Sequence, residues 1–83
     1  MFYFYVLENE EKELYYGSTD NLKRRLGEHQ QGKAFSTKGH DWVLIYYEAY
    51  QSEEDARKRE RQIKYYGQAY TQLKRRIFNS RRR

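Results

Sequence analysis

Tyr15-Tyr16-Gly17-Ser18-Thr19-Asp20-Asn21-Leu22-Lys23-Arg24-Arg25-Leu26-Gly27-Glu28-His29 is the stretch whose reading decides the fold. It opens with strand-forming aromatics, breaks at Gly17, and then offers side-chain oxygens in succession at Thr19, Asp20 and Asn21 to the bare amides of a helix start. Leu22, Leu26 and His29 follow at i, i+4 and i+7, one stripe of a helix running to about Gln31, with Arg25 beside that stripe and Gly32 as the stop. A phenol, a guanidinium and an imidazole therefore converge near one strand-to-helix junction.

Working upstream, Phe2-Tyr3-Phe4-Tyr5-Val6-Leu7 is built of strand formers, with Phe2, Phe4 and Val6 on one face and Tyr3, Tyr5 and Leu7 on the other. It lacks a basic leader or cleavage site, so it reads as a strand and not a signal peptide. The polar run from Glu8 to Lys12 is the turn, and Leu14-Tyr15-Tyr16 returns antiparallel through a loop longer than two residues.

Downstream, residues 33–41 are polar and read as a loop. Trp42-Val43-Leu44-Ile45-Tyr46-Tyr47 is the most continuous apolar run and predicts the best-buried strand, central in the sheet. Ser52-Glu53-Glu54-Asp55 is a capping signature. The helix it opens puts Ala56, Glu60 and Ile63 on one stripe, so a carboxylate stands where a core residue is expected. A last helix over residues 70–78 turns Leu73 and Ile77 inward, and residues 79–83 form a basic tail that frays. The expected fold is α+β: a small three-stranded mixed or antiparallel sheet flanked by helices, in the order β-β-α-β-α-α, forming one domain over residues 1–78.

Composition narrows the class. A chain of 83 residues holds one small domain. It has no cysteine and no Cys/His cluster of zinc-ligand spacing, so packing by its ten tyrosines and four phenylalanines must stabilise it. Lack of cysteine and of an export signal points to a cytoplasmic setting, and no stretch spans a membrane. Residues 1–20 hold five acids and one base, whereas residues 56–83 hold eleven bases and the single acid Glu60, within a net charge of +5. Taken alone, such a block reads first as a solvated helical face and second as a surface for a polyanion.

The constellation resembles the GIY-YIG nuclease family over nearly the whole chain. Tyr3-Phe4-Tyr5 stands as the first motif element and Tyr15-Tyr16-Gly17 as the second, with Arg25 at the helix arginine, His29 at the His/Tyr position and Glu60 at the metal-binding glutamate. The run Ala56-Arg57-Lys58-Arg59-Glu60 with Lys64, and the passage Gly32…Thr37…Trp42-Val43-Leu44, look like the small stand-alone bacterial branch related to the N-terminal nuclease domain of the excinuclease C subunit. The resemblance implies a metal-dependent DNA endonuclease, structure-selective in the manner of repair or recombination enzymes, using Mg2+ with Mn2+ as a substitute. By the same resemblance Glu60 holds the ion, Arg25 stabilises phosphoryl charge, Tyr15 orients or deprotonates the attacking water, Tyr5 holds water or phosphate in line, and His29 relays the proton. Lys23, Arg24, Lys64, Arg75 and Arg76 are the expected phosphate contacts. RNA stays open as a partner beside DNA, and monomer stays open beside weak homodimer.

The chain departs from the family pattern at three points. Gly-Ile-Tyr has become Tyr-Phe-Tyr, Ser18 stands where some members carry lysine, and no asparagine is placed to add to the metal site. Two other readings compete: a non-catalytic nucleic-acid-binding module of the same fold, and a structural or protein-interaction module with an aromatic core. The first shares the basic surface; the second has no use for an acid on an inner stripe.

An unperturbed phenol has a pKa of about 10 and is ionised to roughly one part in a thousand at neutral pH. A base at Tyr15 therefore implies a cleavage rate that climbs with pH above neutrality. A flat or acid-shifted profile from active, purified protein removes Tyr15 from that role.

Overall fold

Apolar side chains on both faces of one strand require a layer of helix on each side. Strand β1 (Phe2–Glu8) is that strand. Phe4 and Val6 pack with Ile63, Leu73 and Ile77 on one side, and Tyr5 and Leu7 with Trp42 on the other. The computed structural model describes residues 1–31 and 39–81. Its remaining elements are β2 (Leu14–Thr19), α1 (Leu22–Gln30), β3 (Val43–Tyr50), α2 (Glu53–Tyr65), α3 (Gly67–Arg76) and a short 3-10 turn, Phe78–Ser80. Residues 33–38 of the expected loop, Gly32 and Thr37 within the motif passages, and Arg82 and Arg83 lie outside the described residues.

The order β-β-α-β-α-α is the expected one, and the sheet is antiparallel throughout. Its strand order, β2-β1-β3, differs from expectation by putting β1 in the centre and the Trp42 run at an edge. The reason is two-sided burial. Residues 4–8 are all buried, whereas Val43 and Tyr47 of β3 are 37% and 52% exposed. An apolar run at an edge needs only one dry face, and aromatic composition disguises the wet one. Trp42 itself is buried, in the cluster beneath α1.

Local chemistry sets the element ends. Asn9 accepts from the backbone N–H of Glu11 and of Glu13, each at 2.9 Å, which shapes the hairpin loop around a buried amide. Of the three residues able to cap α1, Asn21 does so, accepting from the Arg24 N–H at 3.0 Å. Ser52 occupies the N-cap of α2 but makes no side-chain capping bond. Tyr66, extended at φ −121° and ψ 111°, breaks α2 from α3, which therefore begins at Gly67, ahead of the expected residue 70. Among the described residues no helix is long and apolar enough to cross a membrane.

Instead of fraying from Asn79, the chain turns once through Phe78–Ser80 and brings Arg81 back to the hairpin. The Arg81 Nε donates to Glu8 Oε2 at 2.9 Å and its Nη2 to the Lys12 carbonyl at 2.8 Å. Glu8 is fully buried, so losing that donor is costly even though the acid has a further partner. Arg81→Ala should lower unfolding free energy by about 2 kcal/mol, read as a drop in the urea midpoint at constant slope. An unmoved midpoint shows that Glu8 does not depend on Arg81.

Candidate active site

The site assembles around β2, an edge strand flanked by α1 and α2. Tyr5 lies opposite Gly17 in the β1–β2 ladder, and the missing side chain of Gly17 leaves room for the Tyr5 ring. A Cβ there would lie 2.5 Å from Tyr5 Cζ, closer than any packed atoms tolerate. Gly17 is therefore required by the close approach of an aromatic ring.

Seated there, the Tyr5 hydroxyl is 2.9 Å from His29 Nε2, and the Arg25 Nε donates to it at 3.3 Å. Because the phenol oxygen accepts from Arg25, its own proton is best directed to His29 Nε2. The Tyr15 ring lies 5.0 Å from the His29 ring and 6.4 Å from that of Tyr5. Residues Tyr5, Tyr15, Arg25 and His29 thus form one cluster, as the placement of the phenols on the hairpin, of His29 on the inner stripe of α1 and of Arg25 beside that stripe predicts.

Burial sets its protonation. The Tyr5 phenol is pushed up to about 12, chiefly by burial and further by the charges of Tyr15 and Glu60, with Arg25 opposing. Burial first, then the Arg25 charge, pushes His29 below its ordinary value. At neutral pH the pair is a neutral phenol on a neutral imidazole. Arg25 is held more firmly protonated by its bond to Tyr5, and its Nη1 donates to Glu28 Oε1 at 3.0 Å.

Glu60 approaches the same strand from the other side. The Ser18 hydroxyl donates to its Oε1 at 2.7 Å, and the Lys64 ammonium to its Oε2, also at 2.7 Å. The acid is turned toward the sheet and fastened to the residue after Gly17. Its charge reaches Tyr5 and helps to push that phenol up. Among the described contacts Glu60 makes no ion pair with Arg25, since Arg25 is turned to Glu28 and Glu60 to Lys64. A cleft of about 370 Å³ opens along this edge, with Ser18 on its wall, Arg24, Arg25 and Glu28 from α1, and Ala56 and Arg57 from α2.

The donor set suits a hydrated divalent ion. Mg2+ keeps most of its waters and needs only one or two carboxylates besides substrate oxygens. Glu60 offers one carboxylate, 21% exposed, with a neutral donor fixing one oxygen and a half-exposed ammonium on the other. A separate exposed group, Glu11, Glu13 and His40, has ligand atoms within 4.8 Å of one another, but it sits at the hairpin loop.

The expected phosphate contacts divide. Arg24 is on the cleft, paired with Asp20 at 2.9 Å, and Lys23 is exposed on the same helix. Lys64 is held by Glu60. Arg75 is exposed on α3, and Arg76 stands at the β3 side, 3.4 Å from the Tyr46 hydroxyl and 3.9 Å from Glu48. Ser18 and Glu28 are the residues that sequence reasoning missed as partners. Glu28 carried a local signal, three residues from Arg25 on one helix. Ser18 carried none, because its partner is 42 residues away.

The GIY-YIG catalytic domain family matches residues 1–70, and the chain belongs to that family. Its relatives include UPF0213 proteins. One from Pediococcus acidilactici is 39% identical over 59 residues, 66% of this chain and 60% of the relative. Another, from Streptococcus pyogenes serotype M5, is 43% identical over 56 residues, 65% of this chain and 61% of the relative. A third, from Clostridium perfringens, is 38% identical over 66 residues, 77% of this chain and 71% of the relative. The chain thus spans about three fifths of the length of the first two. No solved structure matches.

Gly17→Ala should cost about 2 kcal/mol of stability, because the new methyl must push the Tyr5 ring off the edge strand. Urea denaturation measures the loss. An unchanged midpoint shows that Tyr5 is not seated over Gly17.

Proposed function

We propose that this chain is a divalent-metal-dependent endonuclease hydrolysing phosphodiester bonds in DNA. The observation that carries the reading is the orientation of Glu60: toward the sheet and anchored on β2 by Ser18, the residue after the glycine that seats Tyr5, with Ser18 and Arg25 together on the wall of the cleft. Glu60 holds Mg2+, for which Mn2+ substitutes. When bound, such an ion supplies Lewis-acid stabilisation of phosphoryl and leaving oxygens.

The chain's own groups supply the rest. Arg25 is charged, partly exposed and on the cleft, so it meets the charge that grows on the phosphoryl oxygens. Tyr15, half-buried beside His29, orients and deprotonates the attacking water. Tyr5 and His29 are each 1% exposed, which suits them to hold Arg25 and Tyr15 in place and to relay a proton better than to touch substrate. The role of Tyr5 is accordingly that of a positioning residue.

Arg24, Arg25 and Arg57 line the cleft with groups that contact phosphate and do not read bases. Selection by DNA shape, as at branches or nicks in repair and recombination, fits that lining better than selection by sequence. A cytoplasmic setting belongs to the same reading. The Lys64–Glu60 pair is the one observation favouring the non-catalytic alternative, because it occupies the acid.

Incubation with labelled branched, single-stranded and duplex DNA, with Mg2+ or Mn2+ and with chelator, decides between them. Cleavage should require the ion, and Glu60→Ala should reduce it by roughly a thousandfold while leaving DNA affinity measured in chelator nearly unchanged. Binding without cleavage by the parent protein, under every ion condition, leaves only the binding module.

A further inference from the structure

Both oxygens of Glu60 are already engaged, and the two partners differ in kind. Ser18 is neutral and fixed to the strand, and its bond to Oε1 can persist beside a cation on Oε2, orienting the carboxylate. Lys64 is a cation 2.7 Å from Oε2. A divalent ion and an ammonium cannot share that oxygen at such distances without strong repulsion. An ion taken up on Oε2 must therefore displace Lys64.

The pair is also weak enough to be displaced. Lys64 and Glu60 are neighbours at i, i+4 on α2, and the Lys64 side chain is 40% exposed. Exposed pairs of this kind shift an equilibrium by roughly twofold. The ammonium is a placeholder on a flexible stem, and a DNA phosphate arriving at the strand edge offers it another anion.

We propose that Lys64 is the displaceable counter-ion of Glu60, making metal uptake and DNA binding mutually dependent: phosphate draws the ammonium off the acid, and the freed carboxylate accepts the divalent ion. The inference rests on Glu60 being the metal ligand. In the free protein Lys64 suppresses ion binding; with DNA in place it no longer competes and adds a phosphate contact. Because coupling between two ligands is reciprocal, Mn2+ must tighten DNA binding by the same factor as DNA tightens Mn2+ binding.

The test is Mn2+ affinity, followed by electron paramagnetic resonance of the free ion, for the full chain and for Lys64→Met, Lys64→Arg and Glu60→Ala. Each is measured alone and with a cleavage-resistant phosphorothioate oligonucleotide. Removing one positive charge beside a divalent site should tighten Mn2+ binding of Lys64→Met without DNA by roughly three- to tenfold. The DNA-induced gain should shrink in that variant by about the same factor, and Lys64→Arg should behave like the parent because it keeps the charge. If Lys64→Met binds Mn2+ no more tightly than the parent, or if DNA tightens both equally, Lys64 is not a counter-ion of this kind. If Glu60→Ala binds Mn2+ as well as the parent, the ligand assignment itself fails. Loss at Glu60→Ala with no effect at Lys64 overturns only the present inference. Circular dichroism of each variant checks that α2 is retained.

Discussion

The constraint on which the site depends is the seating of one phenol over one glycine. Tyr5 lies on the central strand, and its ring fits against β2 only because Gly17 presents no Cβ. From that seat its hydroxyl reaches His29 and accepts from Arg25, so the position of the ring sets the position of both groups on α1. The same strand, one residue later, holds Ser18 against Glu60. A single edge strand thus spaces the cluster on one side from the acid on the other. A shift of β2 would move the two halves relative to each other, and catalytic sites lose efficiency steeply with misplacements of about 1 Å.

Much of this was legible in the sequence because it is local. The two faces of β1, the stripe of α1 and the inward stripe of α2 follow from periods of two and of 3.6. Those periods sufficed to bring Tyr5, Tyr15, Arg25 and His29 into one cluster and to flag Glu60 as an acid out of place. Other features were not legible because they are decided by partners far along the chain. Which strand is central depends on what covers each face, and the Trp42 run looks buried from its composition although β3 leaves Tyr47 in water. The Ser18 contact and the return of Arg81 to Glu8 span 42 and 73 residues and leave no local trace. Even the choice of helix cap, Asn21 active and Ser52 idle, depends on backbone geometry that three adjacent oxygen-bearing side chains cannot reveal.

The basic C-terminal third also reads differently once its contacts are known. Arg57 pairs with Glu53, Arg59 with Glu48, Lys64 with Glu60 and Arg81 with Glu8. Glu48 shows how tightly such charge is used. Burial pushes its carboxyl up, yet donors from Tyr46, Tyr50 and Arg59 outweigh that and hold it below the ordinary carboxylate range. Arg59 in turn lies 5.9 Å from the centre of the Phe4 ring, closing the β3 side of the core. The charge asymmetry between the two ends of the chain is therefore partly a device of folding, in which acids of the hairpin and β3 find bases of the last helices.

What is left for a polyanion is correspondingly selective. Exposed pairs at i, i+4, such as Arg24 with Asp20 and Arg57 with Glu53, hold their cations only loosely, so those cations can turn to phosphate at small cost. The buried or half-buried pairs of Arg59 and Arg81 cannot, because releasing either base would leave Glu48 or Glu8 poorly compensated in a dry environment. The loosely held cations Arg24, Arg57 and Lys64 belong to the two helices that flank β2, and the firmly held ones brace the core. Net charge alone would treat the whole basic third alike; the internal pairs withdraw Arg59 and Arg81 from any polyanion and leave Arg24, Arg57 and Lys64, on the helices that flank β2, able to turn to one beside the exposed Arg75 of α3.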